Sequence, residues 1–364
     1  MSSYYTSRST EEILEEMLNN VPDEYIKSVG TFTHDLLKAY ALEGTKLESE
    51  LAKIWNFFDI HSLKGKELDK RVFQLQGLTR KAATYAIGEL TIEGTGTISI
   101  GDLFETINGV QFKSLERKSI VNSGVIKIQA VIPGVVSNVG AKTITQIPVT
   151  IQGIQSCSNE KATYDGFDAE TDESLLSRYD IKVQMPATSG NVYHYMQWAR
   201  EVAGVGDSKI FPLWNGKNTV KVLIINDLKE VASSELVKKV QNYIDPQGSD
   251  NETWGCGYGE APIGAYCTVA SAIAKVLNIN ITLKKADKVE LENLKNKIKE
   301  NIKLFLQSIA FKKNYVSYSL ISNAVLETPG VIEWSKFTVN NGTANIQLEA
   351  EEVAILGEVT ISEN

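Results

Sequence analysis

Near residue 86 the spacing of apolar residues switches from steps of three and four to steps of two, and any fold for this chain must accommodate both periods. Before the switch, Ser9 and Glu12 stand three apart ahead of an apolar run, the pattern of a reciprocal helix N-cap. Ile13, Leu14, Met17, Leu18 and Val21 follow at helical spacing. A longer helix is predicted over 33–58, with Leu36, Leu37, Tyr40, Leu47, Leu51, Ile54, Trp55 and Phe58 as its apolar positions. A third is predicted over 67–78. Two readings stand for these helices: a small helical domain, or a set that bundles with another chain.

Between residues 86 and 155 the texture is that of a small β-domain. Residues 91–100 alternate with glycine interruptions, 125–131 alternate up to Pro133-Gly134, and 143–151 form a third run. Val, Ile and Thr dominate, as suits a pleated, half-buried surface. Residues 156–165 read as a polar linker.

Helices then return. Thr171 is a good N-cap, with Asp172 and Glu173 in the first turn, where the helix dipole favours negative charge. A second helix starts near 188–190 and places Tyr195, Trp198 and Val202 on one face. Asn215-Gly216 between the apolar runs 208–213 and 220–225 predicts a hairpin whose two turn residues take positive φ. A helix over 233–243, a glycine-rich loop over 248–264, one or two strands over 265–285 that include the alternating run 277–283, helices over 288–310 and 319–327, and strands over 331–339, 344–348 and 353–361 complete the chain. The order helix, Gly204-Val205, strand, Asn215-Gly216, strand recurs as helix, Gly330-Val331, strand, Asn341-Gly342, strand. The expected fold is α+β and multidomain: N-terminal helices (1–85), a small β-domain (86–160), then two related α/β units with antiparallel sheets (161–275 and 276–364).

Bulk properties narrow the function. A chain of 364 residues is too long for one ordinary core, and 43% hydrophobic with 23% charged residues is normal for a folded domain. No apolar run reaches the roughly 18 residues of a membrane span. The opening MSSYYTSRSTEEILEEM lacks the basic-then-apolar order of a secretory signal, so the chain is expected to stay in the cytoplasm of the cell that makes it. A net charge of −8 makes nucleic acid an unsuitable main partner. Cys157, Cys256 and Cys267 are widely spaced, and His34, His61 and His194 are scattered, so neither a disulfide framework nor a metal site is indicated. No Walker A, GxSxG or HExxH pattern occurs. The carboxylates Asp168, Glu170, Asp172 and Glu173 resemble a catalytic cluster less than a helix start with Arg178 as a partner. No enzyme activity and no cofactor are expected.

The run Gly166-Phe-Asp168-Ala169-Glu-Thr171-Asp172-Glu-Ser-Leu-Leu-Ser-Arg178 resembles the signature of the baseplate J-like family. Pro186-Ala-Thr-Ser-Gly190-Asn191, the aromatic helix with Trp198-Ala199, and Val202-Ala-Gly204-Val205 follow at the expected distances. Ala130-Val-Ile-Pro-Gly134 with Ser137-Asn138-Val139 resembles the segment before the signature, and Ala261-Pro262-Ile-Gly264-Ala265 resembles a later element. The similarity runs from about Ala86 to the C-terminus; the stretch 248–259 matches no family element. The resemblance implies a structural wedge subunit of a contractile phage tail or a tail-like bacteriocin particle. It implies as partners a second copy of the chain, a different wedge subunit, neighbouring wedges in a sixfold ring, and sheath-initiator and hub proteins. Ile13, Leu14, Met17, Leu18, Leu36, Leu37, Leu51, Ile54 and Trp55 are then the candidate partner-binding residues. Gly166, Asp168, Ala169, Thr171, Asp172, Arg178, Gly190, Asn191, Trp198, Gly204, Val205, Pro262 and Gly264 are structural motif positions. A tail-associated glycan or peptidoglycan hydrolase and a receptor-binding tail protein are the alternatives.

Overall fold

The computed structural model describes residues 6–184, 188–286 and 289–363. Within them the chain forms two compact units, 1–80 with 171–179, and 81–170 with 180–364.

The first unit is helical. Helix α1 (Thr10–Asn19) carries the predicted reciprocal cap: Glu12 N–H donates to Ser9 Oγ, and Ser9 N–H donates to the Glu12 carboxylate. Helix α2 (Phe32–Asn56) starts from Thr31, whose hydroxyl accepts from His34 N–H. Its 25 residues span about 37 Å at 1.5 Å per residue. Ile13 of α1 packs on α2 beside Gly44, Thr10 and Thr45 hydroxyls meet at 3.0 Å, and Arg8 pairs with both Glu16 and Glu48. Helix α3 (Gly65–Gln76) ends on Gly77, held at φ +66° as a left-handed cap. A small core joins Ile60, Leu63, Leu68, Val72 and Leu78 to Leu175 of helix α4 (Asp172–Gln184).

The second unit opens with eight strands: β1 (Ile87–Gly94), β2 (Gly96–Ile98), β3 (Leu103–Thr106), β4 (Gln111–Ser114), β5 (Lys118–Ile120), β6 (Ser123–Ala130), β7 (Ile144–Gln146) and β8 (Ile154–Ser158). Six of them form an antiparallel sheet in the order β7-β3-β4-β6-β1-β8. Its inward positions, among them Leu90, Ile92, Phe104, Phe112, Ile126 and Ile128, are fully buried. The sheet curls until its two ends meet. Asn159, just after β8 and itself fully buried, accepts with Oδ1 from the N–H groups of Thr143 and Ile144 at the start of β7.

This corrects the expected linker over 156–165. Its first residues are strand β8, and Asn159, Thr163 and Asp165 are buried and hydrogen-bonded. Polar residues in a connection signal flexibility only when water satisfies them; here backbone carbonyls satisfy Asn159 and Thr163, and the Ser233 hydroxyl donates to Asp165.

Helix α5 (Val192–Glu201), β9 (Val205–Pro212), β10 (Thr219–Asn226), helix α6 (Ser234–Ile244) and β11 (Tyr266–Ser271) follow. The sheet order is β11-β10-β9, with β10 antiparallel to β9 and parallel to β11. Then come β12 (Ile273–Lys285), α7 (Leu291–Ile309), β13 (Tyr315–Val316), α8 (Tyr318–Leu326), β14 (Val331–Val339), β15 (Ile346–Gln347) and β16 (Glu352–Glu363). Here the order is β14-β12-β16, with β12 antiparallel to β14 and parallel to β16. The α+β, multidomain class holds, but each three-stranded sheet is mixed where antiparallel sheets were expected.

The segment-for-segment repeat also fails. β9 and β10 form the predicted hairpin. β14 instead pairs with β12, and the strand after Asn341-Gly342 pairs with β13. Both turns differ from expectation. Positive φ falls on Leu213, Gly216 and Asn218 in the first, and on Asn340 and Asn341 in the second, where Val339 and Gly342 exchange both backbone hydrogen bonds. The helix predicted from 288 begins at Leu291; Lys288 itself lies outside the described residues.

Candidate functional site

The motif residues of the second unit gather around three close approaches. At the first, Thr84 donates through its hydroxyl to the Asp165 carbonyl and accepts from Phe167 N–H, while its carbonyl accepts from Gly134 N–H. Asn138 spans the gap: Nδ2 donates to the Gly166 carbonyl at 2.7 Å and Oδ1 accepts from Gly166 N–H at 2.9 Å. A Cβ on Gly166 would lie 2.6 Å from the Gly134 carbonyl oxygen, so only glycine lets these segments meet. Asp168 closes the ring by accepting from Val135 N–H. Two segments that are 28 residues apart at Asn138 and Gly166 therefore form one backbone junction.

The second approach seats Phe167 against Gly204, where an added Cβ would stand 3.0 Å from the ring. Val205 is buried beside it, and its carbonyl accepts from Lys81 Nζ at 2.8 Å. Lys81 N–H donates to the Glu170 carboxylate. Asp165 reaches Ser233, the N-cap of α6, at 2.6 Å. Burial pushes the Asp165 carboxyl up, against the Ser233 hydrogen bond. At the third approach Gly190 lies under Pro262, and the turn 262–265 closes by Ala265 N–H donating to the Pro262 carbonyl, with Gly264 at φ +87°. Asn191, rather than Thr188 or Ser189, caps α5 by accepting from His194 N–H. Trp198 is buried under α5, stacked on His194 and edge-on to Tyr195. Ala169 is exposed, and Pro186-Ala187 lie outside the described residues.

In the first unit Thr171 caps α4 through Ser174 N–H, and Asp172 does a second job. Helix α3 has no side-chain cap of its own, and the Asp172 carboxylate accepts from Gly65 N–H at its first residue. Arg80 bridges Asp172 and Asp69. The Gly65 N–H first, then Arg80, hold the Asp172 carboxyl below the usual carboxylate range. Arg178 donates to the Thr79 carbonyl. Three of the four carboxylates of the signature meet separate partners, Asp168 with Val135, Glu170 with Lys81, and Asp172 with Gly65 and Arg80, and Glu173 lies in the first turn of α4.

The partner-binding candidates divide. Ile13 is buried, and Leu14, Met17, Leu18 and Leu37 are half-buried. Leu36, Leu51, Ile54 and Trp55 are exposed, together with Tyr40, Leu47 and Phe58. The glycine-rich stretch 248–264 is ordered by a residue that the motifs did not single out. Asp245, fully buried at the end of α6, accepts from Gly255 N–H and Cys267 N–H. Burial raises its carboxyl against those two bonds. Thr84, Lys81, Asn159 and Arg80 were missed likewise, since nothing local marks a side chain whose partner lies tens of residues away. Cys267 is buried, Cys256 exposed, and burial lifts the Cys157 thiol to about 11. Among the described residues no group of three or more acidic, His or Cys side chains is placed to hold a metal ion.

Three family models match in chain order: the baseplate J-like barrel domain over 89–166, the central domain over 187–271 and the C-terminal domain over 277–362. The chain belongs to the baseplate J-like family. Two relatives from Bacillus subtilis (strain 168) align with 99% of this chain and 99% of their own length. They are the uncharacterized protein YqbT, at 32% identity, and the phage-like element PBSX protein XkdT, at 31%. Baseplate protein gp47 of Escherichia phage Mu is 32% identical over 56% of this chain and 58% of its own. A chain of the anti-feeding prophage baseplate, solved by cryo-electron microscopy with sixfold symmetrisation, aligns with 98% of this chain and 92% of its own at 10% identity and a TM-score of 0.39. Membership of the baseplate J-like family makes this a structural protein of a tail baseplate. The three approaches above join segments distant in the chain at positions of the family motifs.

Proposed function

We propose that this baseplate J-like chain is a wedge subunit of a contractile tail or tail-like particle. Residues 1–85 join a bundle with a second copy and a different wedge subunit, and residues 276–364 contact neighbouring wedges in a ring around the hub. The relatives named for a phage-like element and for the phage Mu baseplate support this reading. The observation that carries it is α2. A long helix with an apolar stripe left in water is what an assembly subunit presents before its partner arrives. When the sheath contracts, the wedge exchanges contacts at its surfaces and does not bend at 156–165, because that segment is strand and buried polar anchor. Assembly takes place in the cytoplasm of the producing cell, before release with the particle.

The test is a pull-down of the C-terminally tagged chain from induced producer cells, with mass spectrometry and negative-stain imaging. Recovery of other tail proteins with star-shaped or tail-like particles is the expected result. A lone chain with no tail partners overturns the wedge role and directs attention to glycan hydrolysis. Deleting residues 1–78 is a poor control, because it strips the cover from Leu175. The double variant Leu47→Asp with Leu51→Asp is better, since both side chains are more than half exposed and the fold does not depend on them.

A further inference from the structure

The central and C-terminal domains of the family end at 271 and begin at 277, yet the chain passes between them without a loop. Strands β11 and β12 are separated by Ala272 alone, and each has a parallel neighbour, β10 for the first and β16 for the second. At the joint Ala272 N–H donates to the Ile224 carbonyl of β10, and Ile273 N–H donates to the Glu351 carbonyl just ahead of β16. One strand path thus hands its hydrogen bonding from one sheet to the next. A hinge needs a few residues whose φ and ψ are free to change, and here the backbone is held on both sides of Ala272.

The two sheets also share a core. Strand β10 is buried on both faces: Val222 and Ile224 pack with Trp198 of α5 and Leu236 of α6, while Leu223 and Ile225 pack with Ala272, with Ala310 at the end of α7 and with Val353 of β16. Polar contacts accompany this seam. Lys221 Nζ meets both carboxylate oxygens of Glu351 at 2.6 Å, and Lys209 Nζ donates to the Ala350 carbonyl. Gln307 Nε2 donates to the Leu228 carbonyl, and Lys303 pairs with Glu230 at 2.8 Å. Phe311 is held at φ +58°, a costly conformation for a bulky side chain, with its ring packed on the seam and Lys209 Nζ 5.4 Å from the ring centroid. Such strain persists where the surroundings over-determine it.

We infer that the central and C-terminal domains form one cooperative, rigid block with no hinge at Ala272. Domains that rotate on one another meet across a modest, polar boundary, whereas this one is apolar and buried at its centre and tied by a shared strand path. In a tail particle a push on one end of the block is then delivered at the other end, and rearrangement is confined to the block's outer contacts.

The experiment uses the full chain and reads each half of this statement separately. Cooperativity is read by native-state hydrogen exchange. Ile298→Val removes one methyl from the C-terminal core, at a fully buried position outside the shared seam, and is mild enough to keep the fold. It should speed exchange of the slowest amides of β10 and β12 by the same factor, about fivefold. Faster exchange in β12 with β10 unchanged would show two independent domains and overturn the block. Rigidity is read by electron paramagnetic resonance between spin labels introduced by Lys238→Cys on α6 and Lys297→Cys on α7, both exposed, with Cys256→Ser removing the exposed native thiol. A single narrow distance is expected. Two distances, or a broad spread in a protein whose circular dichroism is unchanged, place a hinge inside the block and overturn it.

Discussion

Along the 25 residues of α2 only His34 and Ala41 are buried, whereas the eight-residue strand β1 buries Leu90 and Ile92 completely. Both segments carry a regular apolar pattern. The pattern of β1 is answered by β6 and β8 of the same chain, and the outward half of the α2 pattern is answered by nothing in this chain among the described residues. Amphipathic periodicity therefore says that a face will be covered, not by whom. The second unit closes its sheet and hydrogen-bonds its motif residues internally; the first unit leaves an apolar stripe of α2 exposed.

The largest effect should come from emptying the closed region. Phe112→Ala, at a fully buried position, is expected to cost about 3–5 kcal/mol, while Leu47→Ala, 66% exposed, should stay within about 0.5 kcal/mol. Urea unfolding of both variants checks this, and similar losses would erase the contrast. Next comes Gly166→Ala, whose Cβ must displace the Gly134 carbonyl or the Asn138 side chain. A loss of about 1–3 kcal/mol is expected, and an unchanged urea midpoint would mean the junction tolerates separation.

Acid should sharpen the contrast further. Asp172 titrates below an ordinary aspartate, so its contribution is present above the unfolded pKa and is lost as pH falls through the lower folded value. Asp165 and Asp245 are raised by burial, so the stability linked to their protonation is complete below the unfolded pKa and fades as pH rises through the raised values. Hydrogen exchange at stepped pH, corrected for intrinsic rates, should show the first turn of α3 loosening in acid while the loop anchored by Asp245 gains protection. The smallest effect is Asp172→Asn, which should raise exchange at the start of α3 and leave the barrel strands unchanged. Faster exchange in β1 or β6 would show that the two regions are not independent at this node.

Much of the architecture was legible in the residues. The Ser9–Glu12 cap, the Thr171 cap and the alternation along β6 and β12 all act over a few positions, and local chemistry decides them. The motif residues were legible as a set, but not their geometry. Nothing near Gly166 announces Asn138, and nothing near Gly65 announces Asp172. The turns show how narrow the margin is: a hairpin was read correctly from Asn215-Gly216, yet Asn215 does not carry the positive φ, and the second turn sits one residue earlier than its Asn-Gly.

By itself the sequence determined the main helices and the longer alternating strands, which faces are apolar, and the family whose motifs the chain carries, because each depends on spacing or on residue identity along the chain. The tertiary structure alone decided that β14 joins β12 and not its successor, that 156–165 is an anchor and not a hinge, and that the sheets are mixed. Those are pairings between distant segments, chosen by which arrangement satisfies the most buried backbone groups at once, and no local pattern carries that information. The tertiary structure also separated the two faces of α2, since only the position of α1 shows which half of its apolar surface is already covered.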